Sequence, residues 1–243
     1  MNDNVNKMNE ALAALCEKYS VAARGTISMD DKGNWKLACS CGKETFLLPW
    51  RTERKFVELK KFLDDKTLED LSTLRFCTVK TGGCLKQQIA REMDIAVYFT
   101  GAPVESVFAV CSAEKGAAAN IIAKLANDVS VSIECSTKLP AGQEEIDRHE
   151  LIASRGVASD QTVDTQTPHS SIYVYGENGE QRYTDTDTEL FGFSYAEIWL
   201  IRAAFAALSD TKLFDEWNIA YYEMMKCAQA ALDSEELKKV IIL

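Results

Sequence analysis

Apolar residues in the first twenty positions recur every three or four residues. Met8, Leu12, Leu15, Cys16 and Tyr19 fall on one side of a helix predicted over 6–19. The period then changes. SVAARGTISM and NWKLACS flank DDKGN, whose Asp and Gly residues suit a tight reversal, so a hairpin is expected with a third strand in ETFLLPW. In RTERKFVELKKFLDDKTLEDLSTL, Phe56, Leu59, Phe62 and Leu63 share one face and charges fill the other, which predicts a surface helix. LRFCTVK reads as a strand, LKQQIAREMDIAVYFTG as a helix ending at Gly101, and VESVFAVCS as a strand.

Beyond that point strands dominate. AANIIAKLA and VSVSIECSTKL turn around Asn-Asp, RHELIAS follows, and SSIYVYG pairs with EQRYTDT across Glu-Asn-Gly. Two helices, YAEIWLIRAAFAAL and DEWNIAYYEMMKCAQAAL, precede a terminal apolar KVIIL. Strands followed by helices predict an α+β fold: a largely antiparallel open sheet with helices packed on one face. The boundaries drawn from the pattern are a small N-terminal α+β unit over 1–71 and a larger domain over 72–243. The second face of the open sheet needs cover, and VSVSIECS puts small, partly polar residues on it, so a homo-oligomer built through that face is expected. The polar stretch ASDQTVDTQTPHSS reads as a surface loop.

Composition narrows the function classes. The chain has 243 residues, 47% of them hydrophobic, and a formal net charge of -10. Such an acidic balance leaves no basic surface for phosphates, so no nucleic-acid partner and no anionic membrane is expected. The N-terminus lacks a basic start followed by an apolar run, and no window approaches the ~18 apolar residues of a membrane span. A cytoplasmic location is the expectation. The eight cysteines are scattered among apolar neighbours, as thiols are in a reducing compartment. Cys39 and Cys41 form the one close pair, and the two histidines, His149 and His169, are too distant to complete a zinc site, so no metal is expected. His149 has no nucleophile beside it in sequence.

The residues from Gly82 to Ala109 resemble the opening of the C-terminal domain of the Gfo/Idh/MocA family of oxidoreductases, which includes glucose-fructose oxidoreductase and inositol dehydrogenase. In that family a Gly-Gly pair precedes a helix with an Asp-x-x-x-His-x-x-Asp pattern, then a Tyr-Leu-x-Gly ending and a strand. Here GG, the later Asp94, YFTG, PVESV and Ala109 stand in the same register. RHELIASRGVASD is similar to the family's strand and glycine turn, and YYEMMKCAQAALDSEELKKVIIL to its closing helix and last strand. The resemblance covers roughly 72–243 and implies a dehydrogenase C-terminal-type fold.

Two departures shape the functional expectation. The residues ahead of the resemblance contain neither a Gly-x-Gly-x-x-Gly turn nor a Glu-Lys-Pro motif, so no nicotinamide cofactor is expected. At the family's Asp and catalytic His stand Gln87 and Arg91. Gln87 does not titrate, and a guanidinium cannot take up a proton near neutral pH. No catalytic residue is therefore assigned. Lys80, Gln87 and Arg91 are placed in the former substrate cleft as candidate ligand-binding residues for a small polyol or acidic metabolite. The competing reading has Arg91 paired with a carboxylate such as Asp94. The expected function is a non-catalytic stand-alone homologue of the family's C-terminal domain. The alternative is an accessory subunit of an NAD(P)-dependent oxidoreductase working with a separate nucleotide-binding partner.

Overall fold

The computed structural model describes residues 2–112, 117–154, 156–160, 172–176, 179–183 and 185–243. Contacts divide the chain into two compact units, one of residues 1–53 and 162–219, the other of 54–161 and 220–243. The boundary expected at residue 71 falls inside the second unit. His169 and most of the hydroxyl-rich loop lie outside the described residues.

The first unit opens with α1 (Asn2–Lys18), which starts earlier than the periodicity predicts. Met8, Leu12, Leu15 and Cys16 are buried as expected, whereas Tyr19, past the helix end, is 51% exposed. Strands β1 (Gly25–Met29), β2 (Trp35–Cys39) and β3 (Glu44–Phe46) form an antiparallel meander in that order. The Asn9 side chain ties α1 to β1: its Oδ1 accepts from Ile27 N at 2.6 Å and its Nδ2 donates to Ile27 O at 3.1 Å. The apolar LLPW run leaves the sheet after Phe46 and ends in a short 3-10 turn over Pro49–Arg51, where the proline's missing N–H costs nothing at the first helical position. α4 (Tyr195–Ser209) begins with a capping box between Ser194 and Glu197 and packs on α1 and β1.

The second unit is built on a seven-stranded sheet. In chain order its members are β4 (Leu71–Val79), β5 (Val104–Cys111), β6 (Ala118–Leu125), β7 (Ser130–Ser136), β8 (Ile146–Ala153), β9 (Gly156–Ser159) and β12 (Ile241–Ile242). Across the sheet they run β12-β5-β6-β7-β4-β8-β9. Only β4 and β7 pair in parallel; every other pair is antiparallel, so the expected largely antiparallel sheet is present. The remaining strands, β10 (Ile172–Gly176) and β11 (Gly179–Tyr183), form the expected separate hairpin in the first unit.

One face of the seven-stranded sheet is covered. α3 (Leu85–Thr100) lies against it with Leu85, Ile89, Met93, Ala96 and Phe99 buried, over Leu74, Phe76, Ile121, Val131 and Ile133 of the strands. Removing each such large side chain from water contributes about 1.5–3 kcal/mol before entropy is counted. α3 enters through Gly82 and Gly83, both in the left-handed region at φ 75° and 97°, which explains the glycine pair: an L side chain at either position would strain the turn into the helix. It ends on Gly101, also left-handed, whose N–H caps Val97 O. α2 (Arg54–Asp64) packs on α3 and buries Phe56 and Leu59, but Phe62 is 43% exposed, because three-residue spacing from Leu59 carries it past the edge of the contact. The final helix, α5 (Leu213–Leu237), supplies residues to both units, and near its end Ser234 and Glu235 accept hydrogen bonds from Ala109 N and Cys111 N of β5. These two side chains satisfy strand donors beyond the short β12 pairing.

Candidate functional site: a buried ion network under the sheet

Period-two alternation in β8 points Asp147, His149 and Leu151 to the covered side of the sheet, toward α3. α3 presents Arg91 and Glu92 there. Arg91 Nη1 donates to Asp147 Oδ1 at 2.7 Å and Nη2 to Asp147 Oδ2 at 2.9 Å, a two-pronged pairing, and Nη1 also reaches Glu92 Oε1 at 2.6 Å. Glu92 Oε2 lies 2.8 Å from His149 Nε2. The other ring nitrogen, Nδ1, is 2.8 Å from Asp160 Oδ2, and Asp160 Oδ1 accepts from His149 N at 2.7 Å. Lys55, from the start of α2, closes the group at 2.8 Å from Asp147 Oδ2 and 3.2 Å from Asp160 Oδ2.

With the imidazole protonated, three carboxylates face three cations. Burial alone would lift the Glu92 carboxyl, but Arg91 and His149 overcome it and hold Glu92 below its ordinary value. Burial likewise works against Asp147, and Arg91 followed by Lys55 brings it well below the carboxylate range. For His149 burial favours the neutral ring, yet Glu92 and Asp160 prevail and raise its pKa. Aromatic rings wall the group: His149 meets Phe56 edge-on at 4.7 Å and Phe76 at 4.9 Å, and the Arg91 guanidinium sits 5.3 Å from the Phe56 ring centre.

Of the three candidate ligand-binding residues, Arg91 stands inside this network, with its side chain 12% exposed. It is bonded to the carboxylates of Glu92 and Asp147, as the competing reading of a carboxylate-paired Arg91 has it; Asp94 is buried. Lys80 follows β4 and is half-buried; its pKa is lowered by burial and by the charge of Arg91. Gln87 lies one turn before Arg91 on α3, half-buried. Sequence reading missed His149, Glu92, Asp147 and Asp160 as a set, because they come from three separate elements. The signal was Asp147-x-His149: two polar residues on the core side of a strand whose third member there is Leu151.

Donor atoms of Glu92, Asp147 and His149 lie within 4.8 Å of one another, a spacing a cation could bridge. Arg91 and Lys55 already engage the two carboxylates, and a metal would have to displace them.

No family model matches the chain, and no curated protein matches it. Solved structures do. A probable dehydrogenase from Thermotoga maritima is similar at 18% identity and a TM-score of 0.56, over 80% of this chain and 63% of that one. The fold is of the inositol dehydrogenase type. A myo-inositol 2-dehydrogenase from Lactobacillus plantarum matches at 13% identity and a TM-score of 0.56, over 81% of this chain and 63% of that one. A myo-inositol dehydrogenase from Corynebacterium glutamicum gives 14% and 0.57 over the same shares. The chain thus spans less than two thirds of each of these proteins, and its fold corresponds to the dehydrogenase C-terminal-like domain expected from the sequence.

Proposed function

We propose that this chain is a non-catalytic counterpart of the dehydrogenase C-terminal domain, in which the network around Arg91 clamps α3 to the sheet instead of moving protons. The observation that carries this reading is Arg91 itself. At the position where the family resemblance puts a catalytic imidazole, a guanidinium bonded to Asp147 and Glu92 has no basic lone pair to offer a substrate hydroxyl. The one imidazole among the described residues, His149, is wholly buried with a carboxylate on each ring nitrogen. In this reading Lys80, Gln87 and Arg91 still bind a ligand, a small polyol or acidic metabolite, through hydrogen bonds and positive charge. The open face of the sheet, where Phe108, Val110 and Ile122 are exposed, takes a second copy of the chain.

The test is direct. Purified protein incubated with myo-inositol and NAD or NADP should yield no reduced cofactor, and cofactor titration followed by tryptophan fluorescence should give no saturable signal. Turnover that disappears in Arg91→Ala or His149→Gln would overturn the proposal.

A further inference from the structure

In the first unit, the reversal between β2 and β3 holds Cys39 and Cys41 in a fixed relation. Cys39 N donates to Lys43 O at 2.8 Å and Gly42 N to Cys39 O at 3.0 Å, closing a tight turn in which Gly42 takes φ +84°. The turn folds the chain back so that Cys41 N donates to Cys39 Sγ at 3.2 Å. The two thiols differ in access: Cys39 is 7% exposed, against the core of the small sheet, while Cys41 is exposed. They differ in chemistry too. The Cys39 side chain and the Lys43 backbone N–H lower the pKa of Cys41, whereas burial raises that of Cys39. An accessible sulfur whose ionisation is favoured, beside a shielded one whose ionisation is opposed, is the division of labour that exchange chemistry needs: one thiol attacks, the other resolves.

We propose that Cys39 and Cys41 are a redox-active dithiol that exchanges with small disulfides of the glutathione type. The Cys41 thiolate attacks one sulfur of the disulfide and expels the other half as a thiolate, which takes up the proton Cys41 gave to solvent. Cys39 then attacks Cys41 Sγ in the mixed disulfide, and its proton goes to the second leaving thiolate. Two protein thiols become one disulfide, and one small disulfide becomes two thiols. Because the ring closed by a Cys-x-Cys bridge is short and lies at the surface, the bridge should be readily reduced again, as strained or exposed disulfides are.

Proteolysis offers a clean readout. Cleavage after Lys36 and Lys43 releases Leu37–Lys43, a peptide with both cysteines and no others. The reduced full-length chain is incubated with mixtures of reduced and oxidised glutathione, quenched in acid, alkylated, digested and weighed. Leu37–Lys43 is expected two hydrogens lighter and unalkylated, reverting on treatment with dithiothreitol, while the exposed Cys84 is found alkylated or as a glutathione adduct. Cys39→Ser should stop the reaction at a glutathione adduct on Cys41, and Cys41→Ser should leave Cys39 unmodified; far-UV circular dichroism checks that both variants fold. The wild-type chain alone can overturn the idea. It fails if Leu37–Lys43 stays a dithiol under conditions that oxidise Cys84, or if it stops as a lasting adduct without forming the internal bridge.

Discussion

His149 Nε2 lies 2.8 Å from Glu92 Oε2, and neither side chain is exposed to solvent at all. A fully buried ion pair of this kind seldom adds much stability over an apolar pair of equal volume, but losing one member strands the other's charge, which costs about 3–5 kcal/mol. His149→Ala and Glu92→Ala should each destabilise the second unit by that order in urea denaturation at pH 7. Glu92→Gln keeps a hydrogen-bonding group and should cost less. A loss below about 1 kcal/mol for either alanine variant would mean that the network is not clamping α3.

The same pair fixes the sign of a pH dependence. Because the folded-state pKa of His149 is raised above its ordinary 6.5, the ring's contribution is fully present below that value and is lost as pH rises through the folded value. Glu92, Asp147 and Asp160 are lowered, so their contributions are present above the ordinary carboxylate range, about pH 4, and fade as pH falls. Unfolding free energy measured from pH 4 to 9 should therefore be highest on the mildly acidic side of neutral and decline on the alkaline side. His149→Gln should flatten the alkaline decline, and a wild-type curve that climbs steadily from pH 6 to 9 would contradict the charge assignment.

Periodicity alone carries most of the architecture: α3, β4 to β8 and the two closing helices have strong local patterns, and the Gly82–Gly83 pair marks the turn that its positive φ angles require. The site was legible only in part. Arg91 stood out because a family resemblance marks its position, yet its partner Asp147 comes from β8, and the network continues through His149 to Asp160 beyond β9, at separations that helix spacing cannot reveal. Contacts that join residues 1–53 to 162–219 were hidden for the same reason, since local pattern carries no record of which distant segment packs on which.

The open face of the large sheet gives a further test. Phe108 on β5 stands opposite Ile122 on β6 in register, and both are partly exposed, at 37% and 51%. Paired apolar side chains on a solvent-facing strand invite cover. If a second copy supplies it, Phe108→Lys should shift the chain to monomer in light scattering at concentrations where wild type is assembled. The substitution should change the stability of the fold itself by no more than about 0.5 kcal/mol. Wild type that remains monomeric at every concentration would remove the oligomer from the proposed function.

Gly25, in β1, has no side chain for a reason that a substitution can measure. A Cβ built there would meet Ala38 O and Leu37 Cδ1 at 2.9 Å each and Leu208 Cδ2 at 3.1 Å. The leucine tips can turn aside, but Ala38 O belongs to the β1–β2 ladder, in which Gly25 stands opposite Cys39. Replacing glycine with alanine at an unstrained strand position would ordinarily stabilise, by about 0.4–1 kcal/mol, through the unfolded chain. Here the overlap should reverse the sign, since forcing an extra carbon into packed surroundings costs about 1–3 kcal/mol. Gly25→Ala is thus expected to lower the melting temperature. A companion change at Gly33, where nothing lies within 4 Å of a built Cβ but φ is +80°, should cost only the smaller penalty of left-handed backbone, roughly 1 kcal/mol. If Gly25→Ala proves neutral or stabilising in calorimetry, the close approach of β2 and α4 to that position is wrong.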